Sequence, residues 1–330
     1  PTVGSTGGEW AVIALNRGDG TTETWNNTYL ENLKKHVADC GGKLSQTDYQ
    51  YTEYSRVVLA LTALGEDATK FKASDNKIYD LVRPLLDTKS EGNDAGKYYP
   101  MLQGNNSVAF ALIALDSAAY YDTAEGRAAR AAYISNLLEN QREDHMWSIT
   151  SEMPFSDTDT TAMVVQALAP YYLSEERFNS LWDARTQPSY AELKAAVDQA
   201  LAALQDKNEN LQYSETASQI IVALSALGRD ANAEDWKTVD TLLTFQADDN
   251  GFKHVSGGEV TLMSTEQAAY ALAAYDRYKE GRNGLYDMSD AFQNGEKPDE
   301  VTVSEVNKLI EKIGATVDKN SGAAILAARQ

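Results

Sequence analysis

The sequence predicts an all-α protein with the architecture of an α/α toroid, similar to an α6/α6 barrel, in which helical hairpin repeats form an inner and an outer ring. Two observations predict this fold class. Strongly apolar helices recur along the chain at a nearly constant step, and amphipathic helices lie between them. Inner helices that run parallel, sheathed by outer helices that run the other way, are the natural packed solution for this alternation.

The inner helices are apolar nearly all round, so each should be covered on every side. The clearest spans residues 156–172, where a polar, acidic start is followed by an apolar run. Each of the six predicted inner helices contains an Ala-Leu pair, whose leucines are Leu15, Leu61, Leu112, Leu168, Leu224 and Leu272. The steps between them are 46, 51, 56, 56 and 48 residues, and a period near fifty indicates a repeat architecture.

The outer helices are amphipathic and are predicted at 29–40, 78–87, 128–141, 191–205 and 235–246. Pro84 lies within the second of them and should kink it or end its first part. Because six inner helices face five outer ones, we expect a segment after Tyr278, or residues preceding Pro1, to cover the seam between the first and last repeats.

Three segments follow from this pattern. Residues 1–285 are predicted to form the toroid, and 286–300 read as a polar linker. Residues 301–330 form a short C-terminal helical appendage, either a cap on the toroid or the truncated start of a further module, because two short helices cannot bury a core alone.

The composition of the chain disfavours some kinds of binding partner and favours others. The chain has 330 residues and a formal net charge of −20, which disfavours nucleic acid and anionic lipid as partners because both rely on Lys and Arg. No apolar run is long enough to span a membrane, so no membrane insertion is expected, and no signal peptide is present in this chain. Cationic, metal or neutral sugar-like ligands fit this charge better.

The starts of the parallel inner helices should meet at one end of the ring and place carboxylates there. These residues are Glu9, Glu53, Asp157, Asp159, Glu215 and Glu266. Each could simply cap its helix, whereas six together would form an acidic funnel suited to a cation or a polyhydroxylated ligand. Trp10, Tyr54, Arg56, Asn106 and Tyr270 are the further candidate ligand-binding residues.

A family resemblance rests on the ends of the outer helices, where a Gln precedes a polar turn and an aromatic residue. This occurs from Gln141 to Trp147, from Gln205 to Tyr213 and from Gln246 to Phe252. The pattern over residues 8 to 280 resembles the Gln-Trp repeats of squalene cyclases and of protein prenyltransferase β subunits. It is most similar to secreted or surface-attached bacterial proteins with prenyltransferase/squalene-oxidase-type repeats. The resemblance implies an extracellular or cell-surface location and further domains in a longer surface protein.

A second resemblance concerns catalysis. Residues 157–162, Asp-Thr-Asp-Thr-Thr-Ala, resemble the Asp-x-Asp-Asp-Thr-Ala motif of squalene–hopene-type cyclases, whose middle Asp is the general acid. Asp159 falls on that position and Asp157 on the first Asp, whereas Thr160 replaces the Asp that follows. The resemblance therefore implies a terpenoid cyclase-like acid with an incomplete carboxylate pair.

Metal and cofactor chemistry is not indicated by the sequence. The chain has one cysteine, Cys40, and its histidines, His36, His145 and His254, are far apart, so no zinc site is predicted. No cofactor is expected. The leading hypothesis is a non-catalytic module that binds a small molecule or glycan in the acidic funnel. The alternatives are a class II terpenoid cyclase-like enzyme with Asp159 as general acid, and a structural spacer whose bore is plugged by side chains.

Overall fold

The computed structural model describes residues 1–18, 20, 23–182, 188–248 and 250–292. The predicted helical segment 301–330, and the predicted linker after residue 292, lie outside the described residues. The described part of the chain is mostly helical, as the sequence predicts.

Twelve α-helices are present in the described residues. They are α1 (Trp10–Arg17), α2 (Glu23–Asp39), α3 (Thr52–Ala63), α4 (Pro100–Gln103), α5 (Asn105–Asp116), α6 (Ala124–Glu139), α7 (Thr158–Leu173), α8 (Glu175–Asn179), α9 (Tyr190–Asn208), α10 (Ser214–Ala226), α11 (Thr238–Leu243) and α12 (Leu262–Lys279). Two short strands, β1 (Phe71–Lys72) and β2 (Ile78–Tyr79), pair antiparallel, with Phe71 opposite Tyr79. A turn of π-type hydrogen bonding (Ser5–Glu9) precedes α1, and a 3₁₀ turn (Arg83–Leu86) follows β2.

Six apolar helices, which we call the inner helices, correspond to the six predicted ones: α1, α3, α5, α7, α10 and α12. Every residue of α5 from Ser107 to Leu115 is buried, as expected for a helix that is apolar nearly all round. The inner helices pack in chain order, α1 on α3, α3 on α5, α5 on α7, α7 on α10 and α10 on α12. Helix α12 also packs on α1, so the order of contacts returns to its starting helix.

Contacts between equivalent ends show that neighbouring inner helices run in the same direction. At their starts, Arg56 of α3 lies 3.5 Å from Glu9, which directly precedes α1, and Ser264 of α12 bonds to Glu215 of α10. At their other ends, the Tyr171 hydroxyl of α7 donates to Asp116 of α5 over 3.1 Å. We call the starts of the inner helices, with the loops that lead into them, the mouth.

Amphipathic helices cover the inner ones: α6 packs on α5, α9 on α7 and α11 on α10. The outer helix predicted at 78–87 is wrong, because this stretch holds β2 and the 3₁₀ turn. Pro84 enters the first turn and cannot donate a backbone hydrogen bond, and the Asp80 side chain accepts from the backbone of Val82 and Arg83 instead. Helix α11 is shorter than predicted, since Lys237 before it has a left-handed backbone with φ of 51°.

The segment 283–292 closes the seam between α1 and α12. The buried guanidinium of Arg17 donates to the carbonyls of Gly284, Leu285 and Asp287. Arg17 and Arg277, from the ends of α1 and α12, both bond to the Asp290 carboxylate. Part of the predicted linker thus packs on the helices, and we call residues 283–292 the latch.

Among the described residues, no helix combines the length and apolarity that a membrane crossing requires.

Candidate functional site

Two buried carboxylates lie at the mouth where α1, α3 and α12 begin. Glu9 accepts hydrogen bonds from the Gly4 amide at 3.0 Å and from the Tyr29 hydroxyl at 3.1 Å, and Arg56 lies beside its other oxygen. Burial raises the pKa of Glu9, and Arg56 opposes that shift. Glu266 accepts from the Gly7 amide at 2.6 Å. Both carboxylates therefore hold the segment before α1 in place, rather than facing a ligand.

A second group of polar residues joins α7, α10 and the loop before α12. Buried Glu215 accepts from His254 Nδ1 at 2.7 Å and from the Ser264 hydroxyl at 2.5 Å. The His254 ring is half exposed and stacks on Tyr213, with ring centroids 4.7 Å apart. Because the Glu215 carboxylate fixes Nδ1, the imidazole presents its Nε2 edge outward.

Asp159 belongs to this second group and has the most perturbed carboxyl of the mouth. Burial raises its pKa to about 6, and the charges of Asp157 and Glu215 act in the same direction. The Thr216 hydroxyl opposes the shift by hydrogen bonding to it. Asp159 is nevertheless partly exposed as a residue, although its carboxyl group is largely buried.

The other predicted acidic and amide residues have simpler surroundings. Asp157 is the N-cap of α7 and accepts from the Thr160 amide at 2.7 Å, which is the capping alternative that the sequence left open. Glu53 and Asn106 are half-buried in the first turns of α3 and α5. Asn106 accepts from the Ser107 amide at 2.9 Å, and Glu53 forms no side-chain bond with any described residue.

Aromatic side chains from three inner helices meet inside the helix cycle. The Trp10 ring lies 5.1 Å from that of Phe110 and 5.7 Å from that of Tyr270, so α1, α5 and α12 all contribute. Since α3 lies between α1 and α5 in the contact order, this contact joins two inner helices that are not neighbours. We call Trp10, Phe110 and Tyr270 the aromatic layer.

A chain of glutamines extends the aromatic layer. Gln166 of α7 donates to the Gln219 side chain of α10 at 2.9 Å, and Gln219 donates to the Gln267 side chain of α12 at 2.9 Å. Gln219 also bonds to the Tyr270 hydroxyl. Polar and aromatic side chains therefore fill the centre at this level.

Tyr54 does not join the other candidates. Its buried hydroxyl accepts from the Leu44 amide at 3.1 Å and contacts the Gly42 carbonyl, so it supports the loop before α3. The structure thus brings the predicted residues together as two carboxylate groups and an aromatic layer, with Glu53, Asn106 and Tyr54 outside them.

Exposed apolar side chains concentrate at the mouth. Eight of the eleven exposed large apolar side chains in the described residues lie in the loops that lead into α3, α7, α10 and α12, or in the first residues of α12: Tyr49, Ile149, Phe155, Tyr213, Val255, Val260, Leu262 and Met263. Apolar side chains clustered on a surface typically mark an interaction site. We call these eight side chains at the mouth the apolar rim.

Known proteins give no assignment for this arrangement. The chain matches no protein-family model and no curated protein sequence. Within the described residues, no group of three or more His, Cys, Asp or Glu side chains is arranged to hold a metal ion.

Sequence reasoning missed His254, Thr216 and the glutamine chain. Gln219 and Gln267 each precede the repeated leucine by five residues, so a polar residue recurring within an apolar helix was an available signal. His254 lies 39 residues from Glu215, and no local pattern links the two.

Proposed function

We propose that residues 1–285 form an α/α toroid. The cyclic contact order of the six inner helices supports it, as does the meeting of like ends between neighbours. The outer helices α6, α9 and α11 each pack on one inner helix, which is the arrangement expected of helical hairpin repeats.

We propose further that this toroid binds a small molecule or glycan at the mouth without turning it over. The observation that carries the proposal is the apolar rim around the partly exposed Asp159 and His254. Exposed aromatic rings such as Phe155 and Tyr213 can stack on the apolar face of a sugar, and carboxylates accept hydrogen bonds from its hydroxyls.

In this proposal, fewer carboxylates are available to a ligand than in the acidic funnel predicted from the sequence. Glu9, Glu215 and Glu266 are buried and bonded within the protein, so substituting them would test folding more than binding. Asp159 and Glu53 are the carboxylates left for a ligand, with the outer edge of His254 beside Asp159.

A glycan array followed by calorimetry tests the proposal. The wild-type protein should bind at least one neutral or cationic glycan, and Phe155→Ser with Tyr213→Ser should weaken that binding by about tenfold or more, because aromatic contacts dominate such sites. Asp159→Asn should weaken it by a smaller factor.

A matched control uses exposed apolar residues away from the mouth. Ile78→Ser with Leu243→Ser removes comparable surface and should leave binding unchanged. If both double variants weakened binding equally, or if no glycan bound the wild type, the mouth would not be a glycan site.

The raised pKa of Asp159 is the observation that favours the cyclase-like alternative, since a general acid must hold its proton near neutral pH. That chemistry also needs a closed aromatic chamber for a carbocation. The aromatic layer instead packs ring on ring, and Asp159 is a partly exposed residue. Cyclised product from polyprenyl substrates, lost in Asp159→Asn, would favour the enzyme over the binding module.

The spacer alternative is supported by the aromatic layer, which fills the centre at one level. It does not account for the apolar rim, and for that reason we prefer the binding module. We propose that the module is exported and belongs to a longer surface protein, as the family resemblance implies. Surface labelling of intact cells of the source bacterium would test this location.

A further inference from the structure

A cavity of about 610 Å³ lies at the opposite end of the inner helices from the mouth. The last turns of α5, α7, α10 and α12 line it, together with latch residues 284–287 and 289. Cavities of roughly 300 to 1,000 Å³ are typical of small-molecule sites. The aromatic layer borders this region too, since Tyr286 of the latch packs edge-on against Phe110 at 6.3 Å.

Four residues that line the cavity carry a buried polar atom without a hydrogen-bond partner among the described residues. One of them, Asp116 Oδ2, forms an ion pair with Arg177 at 3.1 Å, which leaves three neutral groups: Gln166 Oε1, Ser225 Oγ and the Tyr286 hydroxyl. The Gln166 side chain is 97% buried, since its exposure is 3%. Leaving such an atom unpaired costs about 1–3 kcal/mol, so three around one cavity need an explanation. A carbonyl oxygen and two hydroxyls together suit a partner that can donate hydrogen bonds as well as accept them.

Apart from Asp287, the charged residues of the cavity wall are paired with one another: Asp122 with Arg127, and Asp116 with Arg130 and Arg177. Asp116 Oδ1 accepts from Arg130 at 2.7 Å and from the Tyr171 hydroxyl, and its Oδ2 forms an ion pair with Arg177 at 3.1 Å. Arg130 also donates to the carbonyls of Leu115 and Tyr120. With these charges satisfied internally, the wall offers neutral polar groups to an occupant, in contrast to the net charge of the chain.

The rest of the wall is largely apolar. Ile113, Ala167, Val222, Ala274 and Leu285 each contribute to it from a different element. An occupant therefore meets an apolar surface beside three neutral polar groups, a combination that fits a molecule with a hydroxylated head and an apolar body.

We propose that this cavity is a second ligand site, which binds a small neutral molecule with a hydroxyl-bearing head and an apolar body, such as an aryl or short alkyl glycoside. Its hydroxyls pair with Gln166, Ser225 and Tyr286, and its apolar part packs on the helix ends. The site is separated from the mouth by the aromatic layer and does not depend on the function proposed for the mouth.

Calorimetry and thermal unfolding with two probes, phenyl β-D-glucoside and n-hexyl β-D-glucoside below its micelle concentration, test this site in the full chain. Both should bind saturably and raise the unfolding temperature. Ser225→Ala and Tyr286→Phe remove unpaired hydroxyls and nothing else, so each should leave the free protein as stable as the wild type or more stable. Each should weaken probe binding by about fivefold to tenfold, the value of one hydrogen bond.

Two controls separate this site from other effects. Ser107→Ala removes an unpartnered buried hydroxyl that is not in the cavity wall and should leave probe affinity unchanged. Asp159→Asn, at the mouth, should also leave it unchanged. If neither probe bound saturably, the cavity would hold water only. If binding were insensitive to Ser225→Ala and Tyr286→Phe, or lost in Asp159→Asn, the probes would bind elsewhere. Either result overturns the proposal.

Discussion

Asp159 couples the charge at the mouth to the stability of the protein. Its pKa is raised from 3.8 to about 6 in the folded state, so folding becomes less favourable as pH rises between those values. This loss of folding stability is complete above the pKa of Asp159 in the folded state and absent well below its pKa in the unfolded state. Raising the pH from 4 to 8 thus lowers the free energy of unfolding, because Asp159 becomes charged while it is buried.

We predict that Asp159→Asn stabilises the protein at pH 8 by about 1–2 kcal/mol and changes its stability little at pH 4, after allowing for partial solvent access. Asn keeps the size of the side chain and its ability to accept from Thr216. Denaturant unfolding of both proteins at the two pH values measures the difference. An equal gain at both pH values would show that ionisation is not the cause.

For single residues, the sequence predicted that the carboxylates lie at the mouth but not which groups form hydrogen bonds with them. Glu9, Asp159, Glu215 and Glu266 lie at the mouth because each precedes or begins an inner helix. Their bonds to Gly4, Gly7 and His254 come from loops whose path depends on the whole fold. The three cavity residues were equally hidden, because an unpartnered atom is defined by what surrounds it.

Helix α6 illustrates how tertiary contacts override helix propensity. Its third residue is Gly126, whose amide bonds to the N-cap Thr123 at 3.2 Å. A Cβ at this position would lie 1.9 Å from the Tyr121 carbonyl oxygen. Propensity alone favours Ala over Gly in a helix by about 1 kcal/mol, whereas this clash is with backbone that cannot easily move.

We therefore predict that Gly126→Ala destabilises the protein by about 2–4 kcal/mol, which reverses the sign expected from propensity. Equilibrium unfolding in urea measures it. Gly284→Ala is the matched control, since nothing lies within 4 Å of its Cβ position, and it should stay within about 0.5 kcal/mol of wild type. A stabilised Gly126→Ala variant would mean that the chain before α6 relaxes freely.

The helices were predicted correctly where the apolar periodicity of the sequence was strong. They were predicted wrongly where a proline or a side-chain hydrogen bond changed the path of the backbone. All six predicted inner helices are present, because an uninterrupted apolar run has to be buried as a helix. The stretch 78–87 has apolar residues at helical spacing, yet Pro84 and the Asp80 side chain divert its backbone bonds. The latch has no periodic pattern, so the sequence predicted that a segment after Tyr278 or before Pro1 would cover the seam but not which residues would form its bonds.

At the seam of the helix cycle, the latch links the ends of α1 and α12. Asp290 serves two buried arginines at once, with Arg17 Nη1 2.7 Å from its Oδ1. Burial lowers the pKa of Arg17, and Asp290 counteracts that shift. Removing the charge of Asp290 would leave two buried guanidinium groups without a counterion.

We predict that Asp290→Asn lowers the free energy of unfolding by about 1–3 kcal/mol, because Asp290 itself is partly exposed. Asp39→Asn is the matched control, since the Lys35–Asp39 pair is exposed on both sides and such pairs contribute about 0–1 kcal/mol. Urea unfolding of the two variants measures both losses. Equal losses would mean that the latch does not hold the seam.

The contact between α12 and α1 also bears on the order in which the helices have to follow one another along the chain. Each inner helix contacts two other inner helices, and this includes α1 and α12. The packing is therefore of the same kind at the seam, where the chain has its break, as between any other pair of inner helices. A circularly permuted chain, interrupted between another pair of helices and rejoined across the present seam, would specify the same neighbours. In that rearranged protein the latch would become an internal connection, and its two arginine contacts would no longer have to compensate for a missing covalent link.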